Sequence, residues 1–217
     1  MSRRCFPIVV AAPSGTGKTT VCRRVVERDP GVVFSVSHTT RARRAGEIDG
    51  RDYHFVEAAE FQRMVDGGEF LEFAVYNDNH YGTSWAAIES PLAAGCDVLL
   101  EIEVQGAGQV RTRREDARMI FLLPPSMRVL RERLTGRETD APEVIERRLA
   151  LAERELQAAP SFDYALVNDD LDACVGQVLE IVAAEREGRG QALRERRAPG
   201  HALEGLRRAG PLDEESR

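Results

Sequence analysis

The sequence predicts an α/β fold built on a doubly wound parallel sheet. Short apolar runs at residues 8–11, 32–36, 98–104, 119–123 and 164–167 alternate along the chain with segments of helical length. Most of these runs lack a regular alternation of apolar and polar residues. Such strands are typical of a parallel sheet whose two faces are both covered by helices.

The spacing of apolar residues predicts helices at residues 18–28, 57–66, 84–94, 126–135, 142–158 and 171–187. Ser126 is expected to cap its helix, and Gly95 is expected to end another. Between residues 36 and 85 the pattern changes to a basic loop and two strands of mixed polarity, 53–56 and 70–76. This segment is predicted to be a small insertion beside the main sheet.

The composition of the 217-residue chain, with 42% hydrophobic and 30% charged residues, is typical of a globular protein. No apolar run approaches the ~20 residues of a bilayer span, and the run at 6–12 is too short for a signal-peptide core. The four cysteines are scattered without a Cys-x-x-Cys pair, which favours reduced thiols over a disulfide frame or a zinc site.

The short apolar runs and the reduced thiols together lead us to expect a cytoplasmic protein with no membrane partner. The net charge of −6 argues against a nucleic-acid partner.

The C-terminal segment from residue 188 is predicted to be a charged tail, disordered or formed by a frayed helix. From residue 186 to the end the chain carries eight arginines and six acidic residues, interrupted by several glycines and prolines. Few large apolar residues are available there to form a second core.

A phosphate-binding loop is predicted at residues 12–19, where Ala-Pro-Ser-Gly-Thr-Gly-Lys-Thr follows a strand and opens a helix. Gly15 and Gly17 would let backbone N–H groups converge on phosphate oxygens at a helix N-terminus. Lys18 would reach the β- and γ-phosphates of ATP or GTP, and Thr19 would ligate Mg²⁺. The alternative is a plain glycine turn with an exposed lysine.

Ala12 stands where the loop pattern has its first glycine. Its methyl group is tolerable if the residue keeps a negative φ at the end of the strand.

A second anion site is predicted in the glycine-bearing loop at residues 35–47, which carries Arg41, Arg43 and Arg44. Guanidinium groups match phosphate oxygens bidentately, so Arg41 and Arg44 could clamp a terminal phosphate. A solvated basic loop is the alternative.

With these features in order, the sequence resembles the guanylate kinase family over about residues 6–187. The matching segments are residues 12–19, 35–44 with Gly46 and Glu47, 52–56, 70–72, 81–83, 101–103 and 167–170. The resemblance implies a P-loop kinase core at about 5–35 and 95–187, a mixed α+β GMP-binding insertion at about 36–94, and a helical lid at about 136–147.

The resemblance also implies which residues hold GMP. They are Ser37, Arg41, Arg44, Tyr53, Glu72, Tyr81, Thr83 and Glu103. The chemistry of guanine agrees, because a carboxylate such as Glu72 accepts from both N1–H and the N2 amino group, and hydroxyls of Ser37 or Thr83 could donate to O6. Without the resemblance, Glu72 would be interpreted as a carboxylate on a strand that faces water, and Tyr53 and Tyr81 as half-buried residues at strand ends.

On the ATP side, the resemblance implies contacts from the phosphate loop, the lid and the last strand. The ATP-binding residues are Ser14, Gly15, Thr16, Gly17, Lys18, Thr19, Thr20 and Asn168, with Asn168 at the adenine. Arg137 and Arg148 would approach the ATP phosphates and act in catalysis with Lys18 and Arg41. Glu101 is implied beside Thr19 at the Mg²⁺ ion.

Structural alternatives stay open for several of these residues. Asn168 could be a turn residue that caps the last helix. Glu101 and Glu103 could pair with a nearby arginine, and the arginines between 128 and 148 could pair with Glu132, Glu143 or Glu146.

The implied reaction is transfer of the γ-phosphate of ATP to GMP. A guanylate-kinase-like interaction module is a rival reading, but the presence of Lys18, Thr19, Arg41 and Arg44 argues against it. A P-loop kinase for a phosphorylated pentose is a nearer rival, and the candidate guanine-reading residues argue against that one.

Overall fold

The computed structural model describes residues 5–76, 78–135 and 142–208. The strands are β1 (Pro7–Ala11), β2 (Val32–Phe34), β3 (His38–Thr39), β4 (His54–Phe55), β5 (Phe70–Tyr76), β6 (Asn79–Ser84), β7 (Asp97–Glu101), β8 (Arg118–Leu123) and β9 (Tyr164–Val167). The helices are α1 (Lys18–Arg28), α2 (Ala58–Asp66), α3 (Trp85–Ala93), α4 (Val104–Arg113), α5 (Met127–Thr135), α6 (Pro142–Leu156), α7 (Leu171–Arg186), α8 (Gly190–Arg196) and α9 (Pro199–Arg208).

The larger sheet has five strands in the order β2-β7-β1-β8-β9. β2 pairs in parallel with β7, and β8 pairs in parallel with β9. Every residue of β1 is buried, as are residues 119–123 of β8. Strands covered on both faces explain why these runs are continuously apolar. The predicted α/β fold with a parallel sheet is confirmed.

A second, four-stranded sheet has the order β4-β3-β6-β5 and combines parallel with antiparallel pairs. It lies within residues 38–84, in the segment predicted to be a mixed insertion. β3 and β6 were not among the predicted strands, since β3 has two residues and β6 is largely polar, Asn-His-Tyr-Gly-Thr-Ser.

The chain divides into two compact units. The first contains the chain up to Val9 and Pro30–Arg118, and the second contains Val10–Asp29 and the chain from Met119 onward. In the first unit, α4 packs along β5: the Gln109 side chain donates to the carbonyl oxygen of Phe73 at 2.7 Å, and Arg113 donates to that of Leu71 at 2.7 Å. These bonds fix the helix to the strand.

Helix α4 was not predicted from the sequence. It contains Gly106 and Gly108, and glycine is a poor helix former, so propensity argued against it. Tertiary contacts with β5 stabilise the helix instead. The expected ends of two other helices are confirmed: Ser126 accepts a bond from the Val129 N–H, and Gly95 follows α3 with φ of 86°.

The prediction of a disordered or frayed tail is wrong for residues 190–208, which form α8 and α9. Leu193 and Leu206 are buried, and a buried cluster connects α8 to the rest of the second unit. Within it, the Tyr164 hydroxyl donates to Glu185 at 2.5 Å, and Arg194 donates to both oxygens of Glu185 at 2.9 and 3.0 Å. These contacts give the segment the burial that its composition did not suggest.

Among the described residues, no helix is both long and apolar enough to cross a membrane.

Candidate active site

The predicted phosphate loop connects β1 to α1 in the second unit. Gly15 and Gly17 have φ of 88° and 93°, a backbone conformation that side chains rarely adopt. A side chain there would also displace a neighbour: a Cβ on Gly15 would lie 2.9 Å from Cδ2 of Leu134, and one on Gly17 would lie 2.7 Å from Nδ2 of Asn168. Both glycines are therefore required by the loop, as its pattern predicts.

Ala12 meets the condition under which it can replace glycine. Within the described ranges, Asp78 is the one non-glycine residue with a positive φ, so Ala12 keeps a negative φ. It is 1% exposed, and its methyl group is accommodated at the end of β1.

Thr16 anchors the loop through its backbone. Its carbonyl oxygen accepts from Nδ2 of Asn168 at 2.7 Å and from Arg133 at 3.4 Å, and Arg133 also donates to the Asn168 carbonyl at 3.1 Å. Asn168, predicted to contact adenine, thus braces the loop from β9. It does not cap α7, because Asp170 does so by accepting from the Ala173 N–H at 2.7 Å.

Helix α1 begins directly at Lys18, so its N-terminus faces the loop. Lys18 and Ser14 are half-buried, whereas Thr19 and Thr20 are exposed. This loop can hold an anion through backbone N–H groups and the lysine.

In the first unit, Glu72 forms the centre of a buried polar cluster. Its side chain, on β5, is 4% exposed, so the reading of a carboxylate facing water is wrong. The Thr83 hydroxyl, on the paired strand β6, donates to Oε1 of Glu72 at 2.6 Å, and the Ser37 hydroxyl lies 3.1 Å from that of Thr83. The structure brings together the three residues predicted to recognise guanine.

Burial raises the pKa of Glu72 to about 7. The bonds from Thr83 and the charge of Arg113 oppose this rise, while the charge of Glu103 adds to it. Arg113 donates its hydrogen bonds to the carbonyl oxygens of Phe70 and Leu71 and not to the carboxylate. Glu72 is therefore a carboxylate held in a site that favours partners able to donate hydrogen bonds to it.

Arg41 is held in position by Glu47 and by aromatic rings. Its guanidinium donates to both oxygens of Glu47, at 2.7 and 3.2 Å, and lies 5.5 Å from the centre of the Tyr53 ring. The Glu47 hydrogen bonds raise the pKa of Arg41, and Tyr81 contributes in the same direction. Arg44 donates its backbone N–H to Glu47 at 2.7 Å, and the residue is exposed.

Tyr53 and Tyr81 are half-buried, with ring centres 5.9 Å apart. The structure thus gathers Arg41 with both tyrosines, and Glu47 is a member of this group that had no predicted role. The sequence signal that could have found it is an acidic residue six positions after an arginine in one loop.

Glu101 ends β7, and Glu103 immediately precedes α4; both are half-buried. Parallel strands commonly end at ligand sites in open α/β sheets. No group of three or more His, Cys, Asp or Glu side chains in the described part of the chain is arranged to hold a metal by itself.

The arginines of α5 and α6 divide between two environments. Arg128 donates to Glu132 at 2.7 Å and Arg131 pairs with Glu146, so for these two the alternative of helix-surface ion pairs is correct. Arg133 instead contacts the phosphate loop. Arg148 is half-buried, and Arg137 lies outside the described residues, as do residues 136–141 of the predicted lid.

Comparison with known proteins finds relatives over most of the chain. The family model for guanylate kinase matches residues 4–185. The guanylate kinase of Thiobacillus denitrificans is 50% identical over 178 residues, covering 82% of this chain and 85% of that protein. The guanylate kinase of Dechloromonas aromatica is 52% identical over 176 residues, covering 81% and 87%.

A solved structure is also similar. The crystal structure of guanylate kinase from Anaplasma phagocytophilum superposes with a TM-score of 0.69 at 33% identity, covering 86% of this chain and 88% of that chain. The family predicted from the sequence is thereby confirmed, and the chain belongs to the guanylate kinase family.

Proposed function

We propose that the chain transfers the γ-phosphate of ATP to GMP, giving ADP and GDP, and so serves purine nucleotide metabolism and the recycling of GMP. Membership of the guanylate kinase family makes it an ATP:GMP phosphotransferase, as the sequence predicts. GMP is proposed as the phosphate acceptor because the carboxylate of Glu72 is buried and hydrogen-bonded to Thr83, whose hydroxyl lies beside that of Ser37.

Guanine recognition follows from the chemistry of this cluster. An ionised Glu72 accepts from N1–H and the N2 amino group of guanine, while adenine offers no such pair of donors on that edge. With AMP, the buried carboxylate would lack both donors of the base, and such mismatches reduce specificity constants by factors of ~10⁴ or more. The Ser37 hydroxyl is assigned to O6, and the Thr83 hydroxyl holds Glu72 in place by donating to it. Glu103 is assigned to the same nucleotide.

The GMP phosphate is assigned to Arg41, Arg44, Tyr53 and Tyr81. The bidentate pairing of Arg41 with Glu47 and its contact with Tyr53 fix the direction of one guanidinium before the nucleotide arrives. A preorganised cation loses little side-chain entropy on binding. Exposed Arg44 is free to reach a second phosphate oxygen, and two guanidinium groups would hold the acceptor in line.

ATP is assigned to the phosphate loop, residues 14–20, with Lys18 stabilising charge on the transferring phosphoryl group. Arg148 and Arg137 are assigned to the ATP phosphates from α6 and the segment before it. GMP needs no general base, because a phosphate monoester with a second pKa of ~6 presents an ionised oxygen at neutral pH. The residues therefore act by positioning the reactants and neutralising charge.

Phosphoryl transfer in this family uses a divalent metal ion, and we assign Mg²⁺ to it. Mg²⁺ prefers oxygen ligands and is usually held by one or two protein groups together with nucleotide phosphates, and hydroxyl and carboxylate oxygens are ligands of that kind. Thr19 offers an exposed hydroxyl at the start of α1, and Glu101 offers a carboxylate at the end of β7. The metal would neutralise phosphate charge.

The cytoplasm is the compartment we propose for this reaction. Cys5, Cys22, Cys96 and Cys174, which all lie in the described part of the chain, are thiols rather than halves of disulfides, and this suits a reducing environment.

The proposal is tested with a panel of phosphate acceptors. With Mg²⁺ and ATP, GMP is expected to yield ADP far faster than AMP, UMP or ribose 1,5-bisphosphate. Glu72→Ala is expected to raise KM for GMP by about tenfold to a hundredfold and to leave ATP binding unchanged, because one buried acceptor is lost. Lys18→Met serves as the control that weakens ATP use.

Three results would contradict the assignment. Absence of ADP formation with GMP would exclude the kinase, and faster use of the pentose would exclude GMP as the substrate. Equal loss of GMP and ATP binding in Glu72→Ala would exclude the guanine-reading role of that residue.

A further inference from the structure

Gly106 lies against the carboxylate that is assigned to guanine. It is the third residue of α4, and a Cβ built on it would lie closer than 3.0 Å to Oε2 of Glu72 and 3.1 Å from Cδ. The φ of Gly106 is ordinary for a helix, so its backbone does not require glycine. Glycine is therefore favoured at this position because there is little room for a side chain, and not because the backbone conformation requires it.

The two elements that meet at this contact cannot easily move apart. Gln109 and Arg113, one and two turns further along α4, are bonded to the backbone of β5 at Phe73, Phe70 and Leu71. Those bonds flank Glu72 on both sides along the strand. A side chain at position 106 would therefore displace the Glu72 carboxylate, the movable end of a flexible side chain, rather than the helix.

We propose that Gly106 is a specificity-determining position, because its lack of a side chain keeps the space in which Glu72 points at the guanine of GMP. The inference rests on the guanine-reading role of Glu72 proposed above. A residue larger than glycine would turn the carboxylate away from Thr83 and from the base. The fold would survive, while recognition of the acceptor would weaken.

Gly108 provides a matched control in the same helix. It is exposed, and a Cβ there would meet no atom within 4 Å. Alanine is a better helix former than glycine, so neither Gly106→Ala nor Gly108→Ala is expected to lower the melting temperature through propensity. At Gly106 the new methyl group meets Glu72, whereas at Gly108 it meets no atom within 4 Å.

The test measures KM for GMP, KM for ATP and the melting temperature of both variants. Gly106→Ala is expected to raise KM for GMP about tenfold or more and to change KM for ATP less than about twofold, because the displaced carboxylate belongs to the proposed GMP site. Gly108→Ala is expected to match the parent protein in all three. An unchanged KM for GMP in Gly106→Ala, or an equal rise with both nucleotides, would overturn the inference.

The double variant Glu72→Ala/Gly106→Ala separates this inference from the proposed function. Both changes act through one contact, so the double variant is expected to bind GMP no more weakly than Glu72→Ala alone. Further loss in the double variant would overturn the inference. If Glu72→Ala itself leaves KM for GMP unchanged, the role of Glu72 fails and the inference fails with it. A strong effect of Glu72→Ala with none of Gly106→Ala overturns the inference alone.

Folding is covered by the same set of variants. Should Gly106→Ala lower the melting temperature of the parent protein, the same change made in Glu72→Ala is expected to lower it no further, because the carboxylate that meets the methyl group is gone. A further fall in the double variant relative to Glu72→Ala would show that the methyl group clashes with something other than Glu72, and the inference would be wrong.

Discussion

Glu72 is the residue whose protonation state decides what this cluster can bind. Burial raises its pKa to about 7, so near neutral pH a substantial fraction of the free protein carries a neutral carboxyl group. A neutral carboxyl group donates one hydrogen bond and cannot accept from both guanine donors as an ionised one does. In the role proposed for Glu72, GMP binding is therefore expected to be accompanied by its ionisation.

The specificity constant for GMP is expected to fall as the pH drops through about 7. The pKa of Glu72 is raised, so lowering the pH converts the accepting carboxylate into its neutral form. A pH series of kcat/KM checks this, with Glu72→Gln as the control. That variant is expected to show weaker binding throughout and to keep only the pH dependence of the GMP phosphate, near pH ~6. An identical profile for both proteins would exclude Glu72 as the titrating group.

At the scale of elements, the phosphate loop depends on contacts from β9 and α5. Asn168 and Arg133 both donate to the carbonyl oxygen of Thr16, and Asn168 also occupies the space beside Gly17. Loops that bind phosphate through backbone N–H groups need those groups to be oriented before the ligand arrives. The two side chains provide this orientation from outside the loop.

Asn168→Ala is expected to weaken ATP binding about fivefold or more, because a buried carbonyl loses its best donor. If Asn168 acts on the loop, the dissociation constants of ATP and of inorganic tripolyphosphate rise by similar factors. If it acts on adenine, only that of ATP rises. Calorimetry with both ligands distinguishes the two roles, and Asn168→Asp tests whether the amide donor is the group that matters.

The sequence predicted the elements with strong patterns and missed those that depend on partners. α1 and β9 were predicted with their observed bounds, since apolar spacing and the phosphate-loop pattern define them locally. α4 was missed because its glycines oppose helix formation in isolation. The grouping of Glu72 with Thr83 followed from the family resemblance, whereas the approach of Gly106 to Glu72 is a long-range packing fact that no local pattern encodes.

Glycine and proline residues in the C-terminal segment lie at the ends of helices rather than interrupting them. Gly188 has φ of 73° just after the end of α7, and Pro199 opens α9, positions that those residues favour. A high content of glycine and proline predicts disorder, whereas the positions of these residues at helix ends favour an ordered segment. The burial of Leu193 and Leu206 could not be predicted without the surfaces that cover them.

At the scale of the whole molecule, the second unit includes its C-terminal helices as an integral part. Burial, and then the Glu185 hydrogen bond, raise the pKa of Tyr164, while Glu185 is 6% exposed and takes two bonds from Arg194. A buried carboxylate that loses its cation is costly. The stability of α7 and β9 is therefore linked to α8.

Arg194→Met is expected to lower the free energy of unfolding by ~1–3 kcal/mol, since Glu185 loses two charge-assisted bonds while the partial exposure of Arg194 limits the penalty. Arg196→Met, an exposed neighbour on the same helix, is the control and is expected to change little. Denaturant unfolding measures both. Equal stability of the two variants would show that the Glu185 cluster does not hold the segment.

The family match ends at residue 185, in the middle of this cluster. A chain shortened to the boundary of homology would retain Tyr164 and Glu185 and lose Arg194, together with Gly190, where the backbone passes close to the Glu185 carboxylate. The end of the family match and the end of this packed cluster therefore fall at different residues. Domain boundaries taken from homology alone would divide a single stabilising interaction in two.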